Sequence, residues 1–114
     1  MSIFQRRQIW LVNFNPSFGH EYKKIRPALI VQNDRYIESG NLLTVIPISS
    51  QITKRTELDV LLKKDACNRL MTDSLLKTTQ ISSFDKRRFI KLVGVLDMET
   101  MENVMNNVQI FLKK

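Results

Sequence analysis

The sequence predicts a small, mostly antiparallel β-barrel with one helix packed on it at the C-terminal end. Short runs of β-branched, aromatic and aliphatic residues alternate with polar turn segments through most of the chain. Only the last segment changes to a helical spacing of apolar residues. The length of 114 residues is enough for one core, so residues 1–114 are expected to form a single domain.

The first half of the chain contains three predicted strands. Gln8–Phe14 is apolar and aromatic, and the Asn-Pro-Ser sequence that follows it ends the strand. Pro27–Gln32 is a continuous apolar run, which indicates burial on both faces. Proline is tolerated at its first position because only one ladder hydrogen bond is lost. Leu42–Ile48 is the third predicted strand.

The second half of the chain is predicted to contain three more strands and one helical turn, although its apolar residues are less regularly spaced. The loop between the fourth and fifth strands is long and polar. The predicted strands are Thr56–Leu62, Ser74–Ile81 and Ile90–Leu96, the predicted helical turn is Phe84–Arg88, and the polar loop is Lys63–Thr72.

The final segment predicts an amphipathic helix, because its apolar residues recur at steps of three and four. Asp97 stands at the expected N-cap, and Lys113 and Lys114 are expected to close the last turn. A helix with this many apolar residues has more apolar surface than a barrel of this size can cover. The helix therefore also predicts a subunit interface, and with it a homodimer. The apolar positions are Met98, Met101, Val104, Met105, Val108, Phe111 and Leu112.

Composition narrows the class of partner and the compartment. A formal net charge of +7 points to an anionic partner: nucleic acid first, an acidic protein segment second, a membrane surface third. The sequence contains no basic amphipathic helix and no apolar run long enough to span a bilayer, so a membrane surface is the least favoured of the three partners. One cysteine, Cys67, and one histidine cannot build a structural zinc site or an internal disulfide. These features predict a cytoplasmic protein without metal or other cofactor.

The segment between the first two strands carries the most chemistry. It holds the only histidine, His20, beside Glu21 and just before Lys23, Lys24 and Arg26. Metal-free cleavage of RNA needs a base for the 2′-hydroxyl, an acid for the 5′-oxygen and fixed positive charge at phosphorus. These residue types can supply all three. The same sequence would also result if His20 were only solvated, if Arg26 only paired with Glu21 and if the lysines were only surface residues.

The stretch from Ile9 to Asp34, IWLVNFNPSFGHEYKKIRPALIVQND, resembles the opening of MazF/PemK/Kid-like toxins of bacterial toxin–antitoxin systems. Those chains begin with a strand similar to xIWLVxLDP. A loop similar to GxEQxGxRP follows, and then a strand similar to VLVIQND. Two further stretches, VIPISSQ (45–51) and QISSFDKRRF (80–89), are similar to a PxTSQ-like turn and to QIRTIDKxRL. The resemblance runs in order through nearly the whole chain.

The resemblance implies an SH3-like β-barrel with a C-terminal helix that forms a homodimer. It also implies sequence-specific, metal-independent cleavage of single-stranded RNA, usually mRNA, to 2′,3′-cyclic phosphate and 5′-hydroxyl ends. The implied partner is an antitoxin whose acidic, flexible tail covers the RNA cleft.

Site residues follow from the matching positions. The resemblance implies that Arg26 stabilises the transition-state phosphate, that Ser49 stands where the family commonly has a threonine hydroxyl, and that His20 moves a proton. The implied contacts to RNA are Glu21, Lys23, Lys24, Gln51 and Gln80.

Three departures from the family pattern are expected to alter sequence preference more than chemistry: Lys24 replaces a glycine, Thr79 stands where some members have an acidic residue, and Ser82 replaces the arginine of QIR. Two alternatives stay open. One is a non-enzymatic poison on a related barrel, like the CcdB-like toxins that trap a topoisomerase. The other is a nucleic-acid-binding barrel that no longer cleaves.

Overall fold

A computed structural model describes residues 2–15 and 24–113 of the chain. These ranges contain seven strands, four short 3-10 turns and one α-helix. The strands are β1 (Gln8–Asn13), β2 (Ile25–Ile30), β3 (Leu42–Ser49), β4 (Val60–Leu62), β5 (Ser74–Leu76), β6 (Ser82–Asp85) and β7 (Phe89–Val95), the helix is α1 (Met98–Leu112), and the 3-10 turns are Asp34–Tyr36, Ile52–Lys54, Thr78–Gln80 and Lys86–Arg88.

The first, third and last predicted strands are confirmed to within one residue at each end. The second strand begins and ends two residues earlier than predicted, and at its start Ile25 and Arg26 pair with the end of β1. A proline inside this strand is tolerated, as Pro27 needs to give up only one ladder bond.

The fourth predicted strand is much shorter than expected. Its first half forms a turn instead, in which the Thr56 amide donates to the Asp59 carboxylate at 2.8 Å and the Asp59 amide donates to the Thr56 carbonyl at 3.2 Å. The fifth predicted strand likewise stops at Leu76, before a 3-10 turn over Thr78–Gln80.

The helical turn predicted at Phe84–Arg88 was only half right. Ser82–Asp85 forms a strand, β6, which pairs with Leu42–Val45 of β3. The 3-10 turn starts only at Lys86, where the Asp85 carboxylate accepts the amide hydrogen of Arg87 at 2.8 Å. A polar strand of this kind lacks the apolar pattern by which strands are recognised.

The strands form one antiparallel sheet in the order β4-β5-β3-β2-β1-β7, with β6 also pairing with β3. The two outer strands of this order, β4 and β7, do not pair within the described ranges, so the barrel-like sheet is not closed. The predicted architecture, mainly β with a C-terminal helix, is confirmed.

The central strands are buried on both faces. One core cluster contains Ile9 and Leu29 and lies under the helix, while the alternating neighbours Trp10 and Ile30 belong to a second cluster on the opposite face. This arrangement explains the continuous apolar run of the second strand. The helix contributes Met101, Val104 and Val108 to the first cluster.

The helix begins as predicted. The Asp97 carboxylate accepts hydrogen bonds from the amide and the hydroxyl of Thr100, at 2.9 and 3.0 Å, and these bonds lower the pKa of Asp97. The helix ends at Leu112, so the prediction that Lys113 closes the last turn was wrong: Lys113 is the C-cap and lies beyond that turn. Lys114 lies outside the described residues.

A buried ion pair ties the turn before β4 to the segment after β5. The ammonium of Lys77 donates to the Asp59 carboxylate at 2.6 Å, and the Asp59 side chain is fully inaccessible. Burial raises the pKa of this carboxyl, but the hydrogen bonds from Lys77 and from the Thr56 amide outweigh burial and hold the pKa below its ordinary value of 3.8.

The loop between β4 and β5 rests on the backbone of β7 at Gly94. The amide of Val95 donates to the Cys67 carbonyl at 3.0 Å. A Cβ on Gly94 would lie 2.3 Å from the carbonyl oxygen of Asn68. Only glycine allows the loop to come this close to the strand.

We expect Gly94→Ala to destabilise the fold by about 1–3 kcal/mol, because backbone atoms of the loop must move to admit the methyl group. Gly40→Ala is the control. Gly40 has φ +83 but no atom within 4 Å of an added Cβ, so only a backbone cost of about 1 kcal/mol applies. Urea unfolding followed by the fluorescence of Trp10 measures both, and equal midpoints for the two variants would contradict the close packing at Gly94.

We expect Asp59→Asn to cost about 3 kcal/mol at neutral pH, because it leaves the buried end of Lys77 without a charged partner. The pKa of Asp59 is lowered on folding, so its contribution is complete above 3.8 and is lost as the pH falls through the folded-state pKa. The difference between wild type and variant should therefore shrink from pH 6 to pH 3 in urea unfolding. Asp85→Asn removes the carboxylate of a pair whose other member, Arg87, is 90% exposed, and should cost much less. A constant gap across this pH range for Asp59→Asn would refute the assignment.

Candidate functional site: a cationic cleft

A cleft of about 620 Å³ opens where the end of β3, the start of β2, the β4–β5 loop and the middle of β7 meet. Half of the residues that line it are apolar, and the other half, its polar rim, carry polar or charged side chains. The residues that line it are Leu11, Ile25, Arg26, Pro27, Ile48, Ser49, Ser50, Gln51, Arg69, Leu70, Met71, Thr72, Ser74, Lys91, Leu92 and Val93.

The pairing of β2 with β3 brings Arg26 and Ser49 to the same end of the two strands, at the cleft. The last pair of this ladder is Ala28 with Pro47. Two residues further along each antiparallel strand, the same register would lead to Arg26 and Ser49. The ladder has ended at this point, where Ser49 pairs with Leu75 of β5 instead, and both Arg26 and Ser49 line the cleft. Arg26 is exposed there.

The end of β3 adds further polar groups to the same rim. The hydroxyl oxygen of Ser49 accepts the amide hydrogen of Gln51 at 3.2 Å. This bond leaves the hydroxyl hydrogen of Ser49 available to donate to a ligand. Gln51 itself is exposed and stands at the start of a 3-10 turn.

A second cation, Lys91, comes from β7. Leu11 of β1 pairs with Pro27 on one side and with Lys91 on the other. The three residues therefore form a row across three strands, and the spacing of strands puts the backbones of Pro27 and Lys91 about 10 Å apart.

The third cation, Arg69, lies on the β4–β5 loop and has a left-handed backbone with φ +55. Every charged residue among the described residues that line the cleft is thus cationic: Arg26, Arg69 and Lys91. In the part of the chain that the structure describes, none of these three has a carboxylate partner. The cleft is therefore suited to an anionic ligand.

The structure brings together three of the residues predicted for the site: Arg26, Ser49 and Gln51. Lys24 lies just before β2 and does not line the cleft. Its amide donates to the Asn15 side chain at 2.6 Å, and its carbonyl accepts the amide hydrogen of Phe14 at 2.8 Å, so it extends the pairing of β1 with β2.

Gln80 is exposed in the 3-10 turn after β5 and does not line the cleft either. The two other departures from the family pattern, Thr79 and Ser82, are also absent from its lining. His20, Glu21 and Lys23 lie outside the described residues, so their predicted roles stay predictions.

Sequence reasoning missed Arg69 and Lys91. Arg69 belongs to a polar loop with no pattern that distinguishes one cation from another. Lys91 alternates with apolar residues on β7, but alternation alone does not tell which face of a strand meets a cleft. Only the long-range contacts of the fold identify both residues.

Two further observations concern ligands and membranes. Within residues 2–15 and 24–113, no group of three His, Cys, Asp or Glu side chains is placed to hold a metal ion. In the same ranges, no helix is long and apolar enough to cross a bilayer. The expectation of a reaction without metal stays a prediction.

The fold and the cleft define a barrel-like β protein with a cationic cleft, and comparison with known proteins places it in a family. Residues 5–112 match the family of PemK-like, MazF-like toxins of type II toxin–antitoxin systems. The chain is 31% identical over 97 residues to endoribonuclease MazF9 of Mycobacterium tuberculosis, with 81% of each protein covered. It is 30% identical over 113 residues to endoribonuclease EndoA of Bacillus subtilis, with 96% of this chain and 95% of the relative covered.

The fold agrees with this match. A chain of the MazE–MazF crystal structure from Deinococcus radiodurans superimposes with a TM-score of 0.78 at 23% identity, covering 98% of this chain and 97% of that one. The protein belongs to the PemK-like, MazF-like toxin family, as its opening segment predicted.

Proposed function

We propose that this chain, an endoribonuclease of the toxin family to which it belongs, cuts single-stranded RNA at specific sequences without a metal ion. The products are a 2′,3′-cyclic phosphate and a 5′-hydroxyl end. The observation that carries the proposal is that Arg26 and Ser49 line one cleft, in which every described charged residue is cationic.

The reaction uses the nucleophile that RNA carries. The 2′-oxygen bonds to the adjacent phosphorus while the bond from phosphorus to the 5′-oxygen breaks. A base accepts the 2′-proton, and an acid supplies a proton to the departing 5′-oxygen. An imidazole with an ordinary pKa of about 6.5 can do either, and His20 is the proposed proton carrier.

Arg26 and Ser49 act on the phosphate itself. A guanidinium can donate two hydrogen bonds to two phosphate oxygens, and its charge opposes the negative charge that builds up on them in the transition state. The Ser49 hydroxyl donates a third hydrogen bond from the facing strand. Because the two groups come from different strands, they can hold one phosphate from two directions.

The flanking nucleotides are bound by the rest of the rim and by the segment before β2. Gln51 lines the cleft beside Ser49 and can read a base edge through its amide. Glu21, Lys23, Lys24 and Gln80 are proposed to contact RNA further from the scissile phosphate. Binding of this kind weakens steeply with salt, because each neutralised phosphate releases counterions.

The proposed protein partner is an antitoxin with an acidic segment. The MazE–MazF pair of Deinococcus radiodurans is one solved complex of a structural neighbour, and another is a mycobacterial endoribonuclease with its cognate antitoxin. An acidic segment would suit the three cations of this cleft and exclude RNA from it. Messenger RNA as substrate implies action in the cytoplasm.

We expect Arg26→Ala to lower the cleavage rate by about 10²–10³, as is typical when one donor to a developing anionic charge is removed. A transcribed mRNA incubated in EDTA, with the cut ends sequenced and their chemistry determined, measures this. Arg55→Ala is the control, since Arg55 is exposed and does not line the cleft. Equal cleavage by wild type and Arg26→Ala would refute the role of Arg26, and a wild type inactive in EDTA would refute the metal-independent reaction.

We also propose that the protein is a homodimer. Ile110 and Leu112 at the end of α1 are each 64% exposed, and Met98 at its start is 62% exposed, which is more apolar surface than a helix on a closed core usually leaves. Sedimentation at micromolar concentration should give the mass of two subunits. A mass of one subunit at that concentration would contradict the proposal.

A further inference from the structure

Side-chain bonds to the backbone fix the conformation of the β4–β5 loop. One carboxylate oxygen of Asp65 accepts the amide hydrogens of Cys67 and Asn68, at 2.8 and 2.7 Å. The side-chain oxygen of buried Asn68 accepts the amide hydrogens of Asp65 and Leu70, at 3.1 and 3.0 Å. The loop is therefore held in one shape just before Arg69 and just after it.

The same loop is fastened to the sheet. The amide of Val95 donates to the Cys67 carbonyl at 3.0 Å, and the backbone of Asn68 fits against Gly94. Gly94 and Lys91 are three residues apart on β7, about 10 Å along a strand. Arg69, next to Asn68, and Lys91 both line the cleft, on the side formed by β7 and the loop that rests on it.

The backbone of Arg69 shows that the loop does not favour a side chain at this position. A left-handed φ of +55 is unfavourable for an arginine and free of cost for a glycine. The loop bonds use only the backbone amide of Arg69, which donates to the Asp65 carbonyl at 3.0 Å. Packing and turn geometry therefore give no reason for a guanidinium here, and a strained residue that lines a cleft points to a functional role.

We propose that Arg69 binds a phosphate of the RNA that neighbours the scissile phosphate, and that Lys91 supplies positive charge to the same subsite. Arg26 would hold the scissile group at the β2–β3 side of the cleft, while Arg69 fixes the path of the strand towards β7. This inference rests on the proposed function, since it names a further contact to the same substrate.

The variant that tests it is Arg69→Gly. This change removes the cation and also relieves the left-handed backbone, so the protein should melt at the same temperature as wild type or higher. A loss of RNA binding could then not be attributed to misfolding. Arg69→Lys keeps the charge and should retain most of the salt dependence of binding.

The probe is a labelled oligoribonucleotide that carries a cut sequence mapped for the wild type, with a 2′-deoxyribose at the scissile position so that it binds without being cut. In fluorescence anisotropy, Arg69→Gly should weaken binding roughly tenfold, as expected for one charged hydrogen bond. The plot of the logarithm of the association constant against the logarithm of the salt concentration should become less steep by about 0.7, the value for one phosphate of a single strand. With the ribose probe, kcat should stay within about twofold of wild type while KM rises.

Lys64→Gln is the matched control, because Lys64 precedes Arg69 on the same loop, is exposed and does not line the cleft. It should leave both affinity and slope within about twofold of wild type. Equal binding by wild type and Arg69→Gly would overturn the inference, and so would an equal loss in Lys64→Gln, which would indicate net charge alone. A wild type that cuts no RNA would instead overturn the proposed function, so the two failures are distinguishable.

Discussion

The antiparallel register between β2 and β3 is the constraint on which the candidate site depends. The pairing of Ala28 with Pro47 brings Arg26 and Ser49, each two residues beyond this last pair, to the same end of the two strands. A shift of one residue would turn every side chain of the strand to the other face. The buried residues on both faces of β2 prevent such a shift, because Leu29 and Ile30 fill different core clusters. The geometry of the site is therefore a consequence of core packing.

A second constraint, the close approach at Gly94, assembles the other side of the cleft. The β4–β5 loop can contribute Arg69 only while its backbone rests against β7, where any larger residue would meet the Asn68 carbonyl. The buried pair of Asp59 and Lys77 holds the segments on either side of β4 and β5 in place. Stability and site geometry are thus coupled through a few contacts that lie outside the cleft itself.

The sequence predicted the parts of the fold and site that short segments encode. Strands β1, β3 and β7, the Asp97 cap, and the place of Arg26 and Ser49 in one cleft all come from contiguous patterns or from the family motifs that contain them. The strand β6 was missed because its residues are polar and its pairing with β3 is a tertiary contact. Arg69 and Lys91 could not be identified for the same reason. Which cation of a basic chain faces a cleft depends on contacts between segments far apart in sequence.

The cleft gathers three cations from β2, the β4–β5 loop and β7, and the described residues that line it include no carboxylate. Such a cluster of like charges lowers the stability of the folded state through mutual repulsion. An anionic ligand that binds only the folded state relieves this repulsion and stabilises the fold by mass action. RNA and an acidic antitoxin segment would both act in this way, and they would compete for the same cations. If the proposed function holds, the charge that binds substrate would also be the charge through which a partner inhibits the enzyme, and inhibition would need no second site.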